Sequence, residues 1–155
     1  MSNDDLERRS MADIPETHVD LLGIKNVAQL ATVGPRGEPQ VTPVWFTWDG
    51  AAIHMSVTTA RQKYHNMVRS GRAALCISDP ADLFRYLELR GPVEMSVDED
   101  HHVLDVLARK YLEIEHYPWH MPGDRRMAVR LVPDRCSVGF LPREYRAGIP
   151  SIELD

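Results

Sequence analysis

The sequence predicts a mainly β (α+β) fold, an antiparallel sheet curled into a small barrel with helices over its openings. Three observations carry that prediction. Strand-like runs outnumber helical ones, turn signals at 34–37 and 49–50 join near neighbours as hairpins, and no βαβ alternation occurs. At 155 residues, 43% apolar and 26% charged, the chain suits one globular domain over 13–141. That domain is flanked by a flexible leader at 1–12 and a tail at 142–155.

After the acidic, polar leader, Pro15 and Glu16 suit the first turn of a short helix over 15–24, with Val19, Leu21 and Leu22 as its apolar side. A strand follows at 27–33, closed by Gly34-Pro35-Arg36-Gly37. A second strand runs over 40–48, a two-residue Asp49-Gly50 turn reverses the chain, and 51–57 returns. Pro43 cannot donate to a ladder, so its position belongs at an edge, at a bulge, or where something other than a strand approaches. A helix spans 59–70: Thr59 and Gln62 have capping-box spacing, Gly71 is a left-handed stop, and Tyr64, Met67 and Val68 form the inner face.

Residues 72–78 make the next strand, broken by Asp79-Pro80. One long strand over 84–97 bends at Gly91-Pro92. Ser96 and Glu99 cap a further helix, in which Val103, Leu104, Leu107 and Tyr111 recur at helical spacing. A last strand over 127–140 is interrupted by Pro133.

Net charge is −5 and the pI about 5.8, with the cations scattered, which disfavours nucleic acid. No apolar run approaches the roughly 20 residues that cross a bilayer. Cys76 and Cys136 form no paired motif, so a reduced, cytoplasmic protein is expected. His116 and His120 are four apart, but Pro118 breaks the helix that would align them, and no metal site is expected. No nucleophile motif occurs, and no catalytic residue is assigned.

The chemically richest block is 29–63. A helix N-terminus at Thr58-Thr59-Ala60-Arg61-Gln62-Lys63 offers free N–H groups, two hydroxyls, a guanidinium suited to bidentate phosphate contact and a compact ammonium. The preceding hairpin adds Thr42, Trp45, Trp48, His54 and Ser56. Two accounts are open from these residues alone. Either the block is a phosphate clamp beside a flat ligand, or Thr59 is only a cap, Arg61 and Lys63 a solvated face, and both tryptophans core. His54 either faces water or donates to a ligand.

The run 31–45, the segment 58–66, Asp79-Pro80, 84–91, Lys110-Tyr111-Leu112 and Tyr117-Pro118-Trp119 together resemble the pyridoxamine-phosphate-oxidase-like split-barrel superfamily. In particular they resemble its branch of reductases dependent on the deazaflavin coenzyme F-420. The resemblance spans 27–137. It implies a six-stranded split barrel and a homodimer with cofactor sites at the subunit interface, acting on a small-molecule substrate. It implies that Arg61 and Lys63 meet the cofactor phosphate, with Ser56, Val57, Thr58 and Thr59 alongside and Thr42 near the ring. Arg85 and Tyr86 would come from the facing subunit, and Trp119 from there or from the rim. Vitamin B6 oxidases of this superfamily carry an arginine and a lysine flanking the second strand; 40–48 has no cation, and the tail after Phe140 is short. Both departures argue against vitamin B6 oxidation and favour the deazaflavin over flavin mononucleotide (FMN). A flavin reductase or oxidase, and a non-enzymatic carrier of a cofactor or tetrapyrrole, are the alternatives on the same fold.

Overall fold

The computed structural model describes residues 11–148; most of the leader and the end of the tail lie outside them. Eight strands form one antiparallel sheet: β1 (Ala28–Val33), β2 (Pro39–Val44), β3 (Thr47–Trp48), β4 (Ile53–Thr58), β5 (Arg72–Asp79), β6 (Asp82–Val97), β7 (Arg126–Leu131) and β8 (Arg135–Gly139). Their order is β2-β1-β5-β6-β7-β4-β3, with β8 also paired to β6. Two helices, α1 (Gln62–Ser70) and α2 (His102–Leu112), pack on it. The strand number is therefore eight, not the six implied by resemblance. Among the described residues no ladder joins β2 to β3, so hydrogen bonding leaves the sheet open.

The two extra strands arise where expected strands divide. The 40–48 run splits into β2 and β3 because the chain leaves the ladder of β1 and joins that of β4. At the break, Phe46 is fully buried and its peptide groups turn to α2. Its N–H donates to Tyr111 Oη (3.2 Å), and its carbonyl accepts from Lys110 Nζ (2.8 Å). The 127–140 run splits at buried Pro133 into β7 and β8. Pro43 sits in β2, at the sheet edge, as a residue without an N–H requires.

β6 is the spine. Its first half pairs with β5 and β8, and its second half, from Val93, pairs with β7. The switch falls at Gly91-Pro92. A Cβ on Gly91 would stand 1.9 Å from the Val132 carbonyl oxygen, so only glycine lets the β7–β8 connection cross so closely. Alternate residues of β4, β5 and β6 (Ile53, Met55, Leu75, Ile77, Leu87 and Leu89) fill the core, joined by Met67 from α1. Each such buried side chain contributes roughly 1.5–3 kcal/mol.

Several local expectations are corrected. The 49–52 turn has four residues: Asp49 Oδ1 accepts from the N–H groups of Ala51 and Ala52, both at 2.8 Å, and this side-chain cap replaces a two-residue turn. The 15–24 segment winds only as a 3-10 turn over Val19–Leu22; Leu21 and Leu22 are buried but Val19 faces water. α1 begins at Gln62, not Thr59, because the Thr59 N–H donates to the Arg125 carbonyl and draws that residue onto the sheet. No Thr59–Gln62 capping box forms, and Val68 faces solvent. Gly71 does end α1, at φ 68°. Ser96 pairs with Ala128 in the sheet and cannot cap α2. Asp98 takes that task, accepting from the N–H groups of Val103 (3.3 Å) and Leu104 (3.2 Å). Among the described residues no helix is long and apolar enough to cross a membrane.

Candidate functional site

Edge strand β2, the end of β4, the start of α1, α2 and the 113–125 loop enclose a cleft of about 1080 Å3, at the upper end of small-molecule sites. β4 alternates: Ile53 and Met55 point into the core, while Ser56 and Thr58 reach the cleft along with Val57 at the strand's end. β7 lies beside β4 with Thr58 opposite Arg126, so the β7 arginine joins the same wall. The chain then turns into α1, whose first-turn N–H groups precede the first helical acceptor. Arg61, Gln62 and Lys63 line the cleft there.

Three buried side-chain polar atoms lack a hydrogen-bond partner among the described residues: Thr42 Oγ1, Ser56 Oγ and Arg126 Nε. All three belong to this one cleft. Each such orphan costs about 1–3 kcal/mol, so a polar molecule that satisfied them would be held strongly. The cations add to this. Arg61 and Lys63 have no ion-pair partner among the described residues, and Arg126 only a distant one, Asp124 at 3.8 Å. Burial, and then the neighbouring Arg61 charge, pull the Lys63 ammonium below its usual pKa. Three cations and one carboxylate, Asp124, line the cleft, a net positive charge that suits an anion.

Of the residues singled out from the sequence, Thr42, Ser56, Val57, Thr58, Arg61 and Lys63 come together here, with Trp45 and Trp119. Thr59 lies beside them without lining the cleft, its N–H held by Arg125. Trp48 packs against the core instead. His54 is not in the cleft either: its Nε2 pairs with Asp49 at 2.6 Å. Burial alone would raise Asp49, but His54 and the turn N–H groups outweigh it and bring the carboxyl to about 2. Arg85 is tied within its own chain to Asp20 and to Asp79 (2.8 Å), bonds that raise its pKa further and compensate its charge. Tyr86 is exposed, away from this cleft.

The sequence pattern missed Arg126 and the apolar wall of Leu104 and Leu107. The apolar-polar alternation of 126–131 puts Arg126 on the face opposite Met127, a usable signal, but only the β4–β7 register places it beside Thr58. Tyr117 enters the sequence reading only through the Tyr117-Pro118-Trp119 resemblance. Its ring lies edge-on to Trp45 (6.2 Å between centroids) and over the Arg126 guanidinium (5.3 Å).

A sheet edge, a helix start and a polar cleft in this order define a class. Residues 14–138 match the pyridoxamine 5'-phosphate oxidase family, and the chain belongs to that split-barrel superfamily. Within it, the chain aligns with the F-420 branch. An F-420 reductase is 35% identical, with a TM-score of 0.72 over 80% of this chain and 98% of that one. A conserved hypothetical protein from Mycobacterium tuberculosis (22% identity, TM-score 0.68, covering 94% and 95%) and HupZ of group A Streptococcus (17%, 0.59, 80% and 92%) share the fold. No protein of curated function matches.

Proposed function

We propose that the protein is an F-420-dependent oxidoreductase acting on a small organic molecule. The observation that carries this reading is the gathering of all three orphaned buried polar atoms, Thr42 Oγ1, Ser56 Oγ and Arg126 Nε, in one cationic cleft. The 35% identity to an F-420 reductase supports it. When bound, the deazaflavin supplies a hydride for an electron-poor double bond or similar acceptor. The chain's own residues bind and orient. Arg61 and Lys63 hold the phosphate, and Ser56, Thr58 and Arg126 complete the polar wall. Thr42 meets the ring system, and Leu104 and Leu107 keep water from one side.

FMN is the second reading, and Arg126 favours it. The second strand lacks the cations of vitamin B6 oxidases, but β7 returns one to the cleft. Expression in a host that makes both cofactors, followed by the absorption spectrum and mass of the released ligand, separates the two. A titration with F-420 that shows no binding ends the first reading.

The same proposal makes the protein a cytoplasmic homodimer. One end of the sheet exposes Leu83, Phe84, Tyr86, Phe140 and Tyr145, an apolar surface suited to a second copy. Tyr86 would then face the partner's cleft, whereas Arg85 keeps its internal carboxylates.

A further inference from the structure

The cleft is lined by two chemically different sets of residues. One is the hydroxyls and cations. In the other, three rings meet edge to face: Trp45 with Tyr117 at 6.2 Å, and Tyr117 with Trp119 at 5.5 Å, while Leu104, Leu107 and Met121 add apolar lining. The two sets adjoin where the Arg126 guanidinium lies 5.3 Å from the Tyr117 ring centroid. Trp45 is fixed, stacked on Tyr111 of α2 at 4.9 Å and 6°. Tyr117 and Trp119 are not fixed by any helix or strand. They belong to the 113–125 loop, which leaves α2 through Glu113 at φ 58°, and every one of its residues except Tyr117 is exposed.

What docks this loop is one carboxylate of α2. Asp105 Oδ1 accepts the Tyr117 N–H at 2.9 Å, and Oδ2 pairs with His116 Nδ1 at 2.8 Å. The Asp105 side chain is 14% exposed and that of His116 77%, so the loop comes to the carboxylate and not the reverse. Burial alone would raise the Asp105 pKa, yet the bonds from His116 and Tyr117 outweigh it and hold the carboxyl below its usual value. The other ties are the Thr59 N–H to the Arg125 carbonyl at 3.1 Å, which holds the far end of the loop, a long contact of Arg109 with the Glu115 carbonyl at 3.4 Å, and the rings of His101 and His120, 4.5 Å apart.

We propose that Asp105 is a positioning residue that holds Tyr117 and Trp119 against Trp45, forming a subsite for a flat, conjugated small molecule. Aromatic walls select flat π-faces, and the Arg126 guanidinium against Tyr117 marks where this subsite meets the polar residues. That this molecule is the hydride acceptor rests on the function proposed above; its binding does not.

The test uses the full chain and acridone, a flat uncharged fluorophore, followed by its own anisotropy, with 1-adamantanol as a saturated competitor and F-420 titrated separately. Acridone should bind the wild type, with 1-adamantanol competing poorly. Asp105→Ala should weaken acridone about tenfold, the size of one or two lost hydrogen bonds, and leave F-420 affinity unchanged. Asp105→Asn keeps an acceptor for the Tyr117 N–H and should stay within about threefold of wild type. If Asp105→Ala does not fold, Asp105→Asn and Trp119→Leu, at an exposed loop position, carry the test, the latter expected to weaken acridone with F-420 binding intact. The proposal is overturned by wild type that ignores acridone, by equal loss of both ligands in Asp105→Ala, by unchanged acridone affinity in Trp119→Leu, or by F-420 displacing acridone competitively. If acridone behaves as expected and F-420 fails to bind, the function proposed above falls and the subsite stands.

Discussion

Lys63 and Arg126 are strained electrostatically by different means, and substitution separates them. Lys63 is half-buried beside another cation, and it lies on the first turn of a helix where little packing depends on it. Lys63→Ala should cost about 1.5–3 kcal/mol of F-420 affinity, the range for a charged hydrogen bond, and barely move the melting temperature. A collapse in melting with affinity intact would make Lys63 structural. Arg126 is more deeply placed, with its Nε orphaned. Arg126→Met should weaken the cofactor while leaving stability equal or about 1 kcal/mol higher, because it removes a buried group without a partner. Calorimetry with and without ligand reads both. Lys110 gives the pH prediction. Burial brings its ammonium from 10.5 down to about 8, although Phe46 offers its carbonyl and its ring face (4.0 Å). Between those values the unfolded chain holds a proton that the folded chain has released, so stability from this group rises with pH across that window. The wild type should therefore gain about 1 kcal/mol over Lys110→Met between pH 7 and pH 10, a figure discounted for partial solvent screening. Urea unfolding at the two pH values measures it, and an equal response in both proteins would remove Lys110 as the source.

The strand β6 shows why some elements can be read from a sequence and others cannot. Gly91-Pro92 in a long apolar-polar run marks an interruption, and β6 exchanges its partners there, from β5 and β8 to β7; the proline lacks an N–H and fixes its own φ whatever packs on it. What crosses that point is not local. The Val132 carbonyl occupies the space of the missing Cβ, and nothing near position 91 in sequence foretells it. Gly91→Ala should accordingly destabilise by more than an ordinary strand substitution, about 3 kcal/mol or above, since the obstacle is backbone that cannot rotate away. Chemical denaturation of the variant tests this, and a loss under about 1 kcal/mol would mean the connection yields. The same division explains the capping errors. Thr59–Gln62 and Ser96–Glu99 both satisfy the capping pattern, yet Ser96 is bound in the β6–β7 ladder and the Thr59 N–H in a bond to Arg125. Tertiary partners took the groups that the local pattern would have used. Strand division follows the same logic: Pro133 marks one break in sequence, whereas the break at Trp45–Phe46 depends on Tyr111 and Lys110, 64 or more residues away.

The cleft was legible only in its contiguous part. The chemistry of 56–63 reads along one stretch of chain, whereas Thr42 joins it from the edge strand β2. Arg126 and the aromatic loop enter through the β4–β7 pairing and the Asp105 contacts, which no spacing encodes. A single chain also leaves one end of the sheet unexplained. Tyr86 lies over Gly139, where a Cβ would strike its ring at 2.0 Å, and Phe140 follows it. Arg146, next to Tyr145 in the chain, pairs with Asp82, next to Leu83, at 2.8 Å. Phe84, 45% exposed, and Phe140, 62% exposed, thus belong to one apolar end, and large side chains gathered in this way are a liability in a monomer. A second copy would cover them; a stable pair needs roughly 800 Å2 from each partner. The wild type should sediment at about twice the 17.7 kDa of one chain. Phe84→Asp places a charge in that surface and should shift the protein to monomer at micromolar concentration, with the secondary structure unchanged by circular dichroism. If the cofactor site is shared between subunits, F-420 affinity must fall with dimer population and recover as protein concentration is raised. A monomeric wild type that binds F-420 with full affinity would confine the site to one chain. Tyr86 would then have no part in it.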